Sequence, residues 1–167
     1  MNRRSFIATS GAALSAPRIG LAEGADGFFV PAEETPHERT FMQWPVSLAV
    51  YGDRGFLRTT QKVIAAIANA LSEFEPVAML GATGDDATAG RLLSDSVERW
   101  DVPTEDLWCR DTGPLFVVND AGARAVRGIR FNGWGGKQVH KRDGGIAERV
   151  AARLSLPYLE TPLRGEP

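Results

Sequence analysis

GFLRTTQKVIAAIANALSEFEPVAML, residues 55–80, changes its hydrophobic period partway along. Over 55–74, Leu57, Ile64, Ile67, Leu71 and Phe74 recur at helical spacings, which stacks them on one face and turns Arg58, Gln61, Lys62 and Asn69 elsewhere. Pro76 withholds a backbone donor and stops the helix. Val77-Ala78-Met79-Leu80 then reads as a buried strand bounded by Gly81 and Gly84. Upstream, Phe41-Met42-Gln43-Trp44-Pro45 predicts a short strand halted by proline. Downstream, a short helix is predicted over 85–93 with Thr83 or Asp85 as cap, and a strand over 97–102. Leu115-Phe116-Val117-Val118, the turn Asn119-Asp120-Ala121-Gly122 and the alternating run 125–131 predict a hairpin. Gly133, Gly135 and Gly136 mark a flexible turn, Ile146, Val150 and Leu154 a helix over 145–154, and 156–159 a last strand. The order predicts a single mixed α/β domain.

Charge and composition narrow the partners. The 167 residues carry a net charge of -2, so nothing draws the chain to nucleic acid or to an anionic membrane. One cysteine, Cys109, excludes an internal disulfide, and with only His37 and His140 beside it there is no sign of a metal centre. The sequence predicts neither metal nor cofactor.

Residues 1–22 form a separate unit: Asn2-Arg3-Arg4-Ser5-Phe6-Ile7 precedes the small, weakly apolar run 8–16, the layout of a twin-arginine export signal. Gly20-Leu21-Ala22 offers a small-x-small cleavage site before Glu23. Removing three arginines and no acids would take the charge from -2 to -5. No other segment approaches the ~20 apolar residues of a membrane span, so the expected product is a soluble, periplasmic or exported protein of residues 23–167.

Asp106-Leu107-Trp108-Cys109-Arg110-Asp111-Thr112-Gly113-Pro114 packs two acids, an indole, a thiol and a guanidinium ahead of a buried strand. Read as extended chain, it pairs Trp108 with Arg110 on one side and Cys109 with Asp111 on the other. A stiff loop on a rigid strand suits a binding carboxylate, though Asp111 paired with an arginine and Trp108 filling core would give the same letters. His37 reads as a hydrogen-bonded structural residue and His140 as solvated, and Phe131 as core.

Three further segments share the order and separation of a known family: Phe28-Phe29-Val30-Pro31-Ala32-Glu33, then Pro36-His37-Glu38-Arg39-Thr40 with Trp44-Pro45, and Arg130-Phe131-Asn132-Gly133-Trp134-Gly135-Gly136-Lys137. With 107–114 they resemble the amino-terminal signatures of the agmatine deiminase and bacterial peptidylarginine deiminase family, over essentially all of 27–166. That resemblance implies a hydrolase on a five-module α/β propeller of the pentein type, of which this chain would hold the first modules. Members attack a guanidinium carbon with a cysteine, release ammonia through a thiouronium intermediate and leave a ureido product. A planar, forked cation demands facing carboxylates and welcomes an aromatic face. Asp111 matches the family position that grips the guanidinium, and Trp108 its aromatic neighbour, a contact worth about 0.5–2 kcal/mol. Asn132 and Trp134 are candidate pocket edges, and Arg110 is expected to brace the loop by pairing with an acid.

The family's nucleophilic cysteine and its histidine base match no residue here, so no catalytic residue is assigned to this chain. Family members continue with Glu-Gly-Gly where Arg164-Gly165-Glu166-Pro167 stands, which suggests a truncation by frameshift, early stop or assembly boundary, or a split gene. The expectation is a deiminase portion inactive alone, prone to self-association or completed by a second chain. The expected ligand is agmatine, a similar small guanidine, or peptidyl-arginine. The rival readings are a non-catalytic guanidino-binding remnant or half-enzyme, and an enzyme that uses Cys109.

Overall fold

A computed structural model describes residues 27–81 and 87–164, with side chains as far as Thr161. Two three-stranded sheets organise it. The first runs β1 (Thr40–Gln43), β2 (Val77–Leu80) and β3 (Val97–Trp100), all parallel, with Thr40 opposite Val77 and Val77 opposite Val97. Parallel strands need crossovers, which here are helices: α1 (Leu48–Tyr51) and α2 (Arg54–Leu71) lead to β2, and α3 (Ala87–Leu92) leads to β3.

β2 is buried along its whole length because both faces of the sheet are covered. Its alternating side chains serve two cores. Val77 and Met79 join Trp44, Ala65, Ala68, Leu93 and Val97 under α2 and α3. Ala78 and Leu80 join Trp100, Val102, Ile146 and Val150 on the other side. Gly81 is required where β2 ends, since a Cβ there would stand 2.8 Å from the Cβ of Trp44.

The second sheet has the order β4 (Leu115–Val118), β5 (Arg124–Arg130), β6 (Tyr158–Arg164). β4 and β5 form the expected antiparallel hairpin, and Phe29 adds a bridge to Val118. α5 (Ile146–Leu154) carries the chain from β5 to β6, which lie parallel. Its inner face, Ile146, Ala147, Val150 and Ala151, packs between the two sheets. The mixed α/β class and the element order are as expected.

The differences are local. α2 buries Leu57, Gln61, Ala65 and Ala68, whereas Ile67 is 45% exposed and Phe74 lies outside the helix, 85% exposed. Close approach of the helix to the sheet favours small residues, and Gln61 is admitted because its amide donates to the Pro45 carbonyl at 2.9 Å. Asn69 likewise turns inward, donating to Leu92 O and accepting from Ser94 N–H. The last strand is Tyr158–Arg164 rather than 156–159. The caps proposed at Thr83 and Asp85 lie outside the described residues, as does the signal at 1–22. No helix among the described residues is long and apolar enough to cross a membrane.

Candidate functional site

The loop between the sheets is not extended. Residues Cys109–Thr112 make one helical turn, α4, which packs on β1, on β5 and on a 3-10 turn, η1 (Asp143–Gly145). A turn changes which residues share a side: Cys109 and Thr112, three apart, face inward, while Trp108, just ahead of the turn, is exposed and Asp111 half-buried. The pairing read from an extended loop is therefore replaced. Gly113 closes the turn because a Cβ there would collide with the Cys109 carbonyl oxygen.

The inward side is fully fastened. The Thr112 hydroxyl donates to Gln43 Oε1 at 2.7 Å, and the Gln43 amide, 1% exposed, donates to the Asp106 carbonyl at 3.1 Å. Asp106 is buried, and its carboxylate accepts from the Tyr51 hydroxyl at 2.6 Å, Leu107 N–H at 2.7 Å and the Gln138 amide at 3.1 Å. Burial, then the bond to Asp106, push the Tyr51 hydroxyl well above its ordinary range.

Asp143, fully buried at the start of η1, accepts Glu105 N–H at 2.7 Å and Asp106 N–H at 3.1 Å. Loss of water raises its pKa to about 6 against those two bonds, with Glu105 and Asp106 adding to the rise. Sequence reasoning missed Asp143, Asp106 and Gln43. Asp143 stands after Lys141 and Arg142 and looks solvated; its one signal was its place immediately before a Gly-Gly entry into a helix.

The outward side is open. Trp108 is 51% exposed. Asp111 is half-buried, and among the described residues its carboxylate has no hydrogen bond or ion pair. Arg110 is exposed, and no described acid braces it, contrary to expectation. Cys109 is the opposite case: its thiol packs against the core around Trp100 and Ile146, and burial, with Asp143 nearby, pushes it up to about 12. A thiol pushed that way is held in its protonated form, which works against a nucleophilic role.

Asn132 and Trp134 sit on a separate turn, Gly133–Gly136, which is tight rather than flexible. Asn132 accepts Gly135 N–H at 2.9 Å, and Trp134, at φ 51°, meets Phe131 edge to face at 5.0 Å. His140 is not solvated as expected: it packs on Phe131, and its Nδ1 lies 3.0 Å from the Gln138 carbonyl. Gln138 then links this turn to Asp106. His37 is bonded to Glu75 at 2.9 Å, in line with a structural role. No group of three His, Cys, Asp or Glu side chains able to hold a metal occurs among the described residues.

Comparison with known proteins places this architecture among deiminases. An agmatine deiminase of Enterococcus faecalis superposes with a TM-score of 0.73 at 26% identity, covering 86% of this chain and 40% of that one. A Campylobacter jejuni agmatine deiminase with substrate bound shares the fold, TM-score 0.71 at 18% identity over 83% and 41% of the chains. The Pseudomonas aeruginosa agmatine deiminase is 41% identical over 134 residues, 75% of this chain and 35% of its own length. The family model for the Porphyromonas-type peptidyl-arginine deiminase matches residues 29–166. The chain belongs to that family. It spans between about a third and two-fifths of the length of the curated relatives it matches.

Proposed function

We propose that this chain is the guanidinium-gripping portion of a deiminase that turns a guanidino group into a ureido group and releases ammonia. One observation carries the reading: the Asp111 carboxylate has no partner among the described residues, three positions along from an exposed Trp108, on a turn whose other side is locked. A carboxylate held open accepts two N–H groups of a flat cation, and the indole adds a face for its charge. Asn132 and Trp134 would edge the pocket through the Gln138 to Asp106 link.

Attack on the guanidinium carbon needs a thiolate and a base. Cys109 is unsuited, so both would come from polypeptide other than the described residues, folded with these elements into a propeller of the pentein type or supplied by a complementing chain. The ligand would be agmatine, another small guanidine or peptidyl-arginine. Residues 1–22 would act as a twin-arginine signal delivering 23–167 to the periplasm or beyond, which an amino-terminus at Glu23 on the exported product would establish and an intact Met1 would refute.

Isothermal titration of the chain with agmatine tests the binding role. The wild type should bind, and Asp111→Asn should weaken binding about tenfold or more, since a charge-assisted pair becomes a neutral one. Equal affinity in both would remove Asp111 from the site.

A further inference from the structure

Gln43, the last residue of β1, is buried and set on a rigid element. It lies opposite Leu80 of the central strand, and the N–H of the next residue, Trp44, donates to the Leu80 carbonyl at 2.7 Å. The stretch that follows runs along the start of the loop, with Val46 and Ser47 N–H donating to the Glu105 carbonyl at 3.2 and 3.1 Å. The Gln43 side chain reaches further and holds residues 106–112 at both ends. Its amide N–H donates to the Asp106 carbonyl at 3.1 Å. Its oxygen accepts the Thr112 hydroxyl at 2.7 Å, the shorter of that hydroxyl's two contacts, the other being the Trp108 carbonyl at 3.1 Å. Asp111 lies between the two points held.

Chemistry fixes the polarity of this strut. The Asp106 carbonyl can only accept, so the amide turns its nitrogen there and its oxygen to Thr112. Position 43 therefore has to offer one donor and one acceptor side by side. Glutamine does so, and so does a neutral glutamic acid; an ionised glutamate and a leucine do not. A binding carboxylate is effective only when held to a fraction of an ångström, which is set by what locks the backbone that carries it.

We propose that Gln43 is the positioning residue of the Asp111 site, its amide clamping both ends of the loop so that the Asp111 carboxylate is held open toward a guanidinium. This deepens the binding role given to Asp111 and rests on it.

Gln43→Glu is compared with wild type in the full chain at pH 5 and pH 8. The two readouts are agmatine affinity by titration and hydrogen exchange of the Asp111 and Gly113 N–H groups, which donate to the Trp108 carbonyl at 3.2 Å and the Cys109 carbonyl at 2.8 Å. Burial, with Glu105, Asp106 and Asp111 on the loop and Asp143 on η1, raises the pKa of the new carboxyl, so it is a neutral acid at pH 5 and a carboxylate facing a carbonyl at pH 8. Tyr51 and Cys109, both pushed up, stay neutral over this range. All these groups are common to both chains, so the ratio of variant to wild type isolates position 43. That ratio should be near one at pH 5. At pH 8 the variant should bind about tenfold or more weakly and exchange faster.

Gln43→Leu should keep its far-UV dichroism and bind about tenfold or more weakly at both pH values. In an Asp111→Asn background it should change affinity by less than about twofold, because the strut acts through that carboxylate. A Gln43→Glu chain that matches wild type at pH 8, or is equally weak at both pH values, overturns the proposal. So does a Gln43→Leu chain that is less stable yet binds as wild type when folded. Absence of agmatine binding in the wild type would instead remove the binding role, and the exchange ratio alone would then decide whether Gln43 holds the turn.

Discussion

Asp106 and Asp111 stand five residues apart on one loop in opposite circumstances. Asp106 is buried and saturated by a phenol, a backbone N–H and an amide. Asp111 is half-exposed, with no donor among the described residues. A carboxylate whose lone pairs are filled holds a backbone in place; one whose lone pairs are empty is ready for donors from outside. The loop joins the two by making the first the anchor of the second. Asp143, through its bonds to Glu105 and Asp106 N–H, is the anchor's own support.

The largest expected effect comes from breaking the support. Asp143→Ala orphans two N–H groups and should cost about 2–5 kcal/mol, read in thermal or urea unfolding. A loss below about 1 kcal/mol would mean that the loop does not depend on Asp143.

The next effect is a pH dependence with an unusual sign. The pKa of Asp143 in the fold, about 6, lies above its ordinary value of 3.8, so the fold binds this proton more tightly than the unfolded chain. Its contribution is complete below the ordinary value and is lost as pH rises through 6, up to about 3 kcal/mol. Acidifying from pH 7 to pH 5 should therefore stabilise the chain, and Asp143→Asn should flatten that slope. Glu75 and Glu98, held low by Thr40 and Trp100 bonds first and by His37 and Arg39 as well, act oppositely but only at lower pH. A wild type that weakens steadily from pH 7 to pH 5 would contradict the assignment.

The smallest effect is expected at Cys109. Its thiol should resist alkylation in the native chain at pH 8, and Cys109→Ala should cost about 1 kcal/mol and leave agmatine affinity unchanged. Rapid labelling of the folded protein would reopen a nucleophilic role.

The element order was legible because period changes and prolines are local signals, and the dense polar segment at 106–114 is what marked Trp108 and Asp111 as candidates. What was illegible depends on tertiary contact. Counting apolar letters put Ile67 and Phe74 inside and Gln61 outside; the sheet beneath α2 instead selects Ala65 and Ala68 for size and supplies Gln61 with a carbonyl. The turn at Cys109–Thr112 is held by Gln43, 69 residues from Thr112 in sequence, so no window around the loop contains its cause. Asp143 meets its partners 37 and 38 residues away, and nothing beside it announces them.

The contrast between filled and open carboxylates is tested most directly by following the aspartate side-chain carbonyl resonances of the ¹³C-labelled chain while agmatine is added. The account predicts that Asp111 shifts with saturation while Asp106 and Asp143 stay where they were. A response centred on Asp106 or Asp143, with Asp111 unmoved, would contradict it.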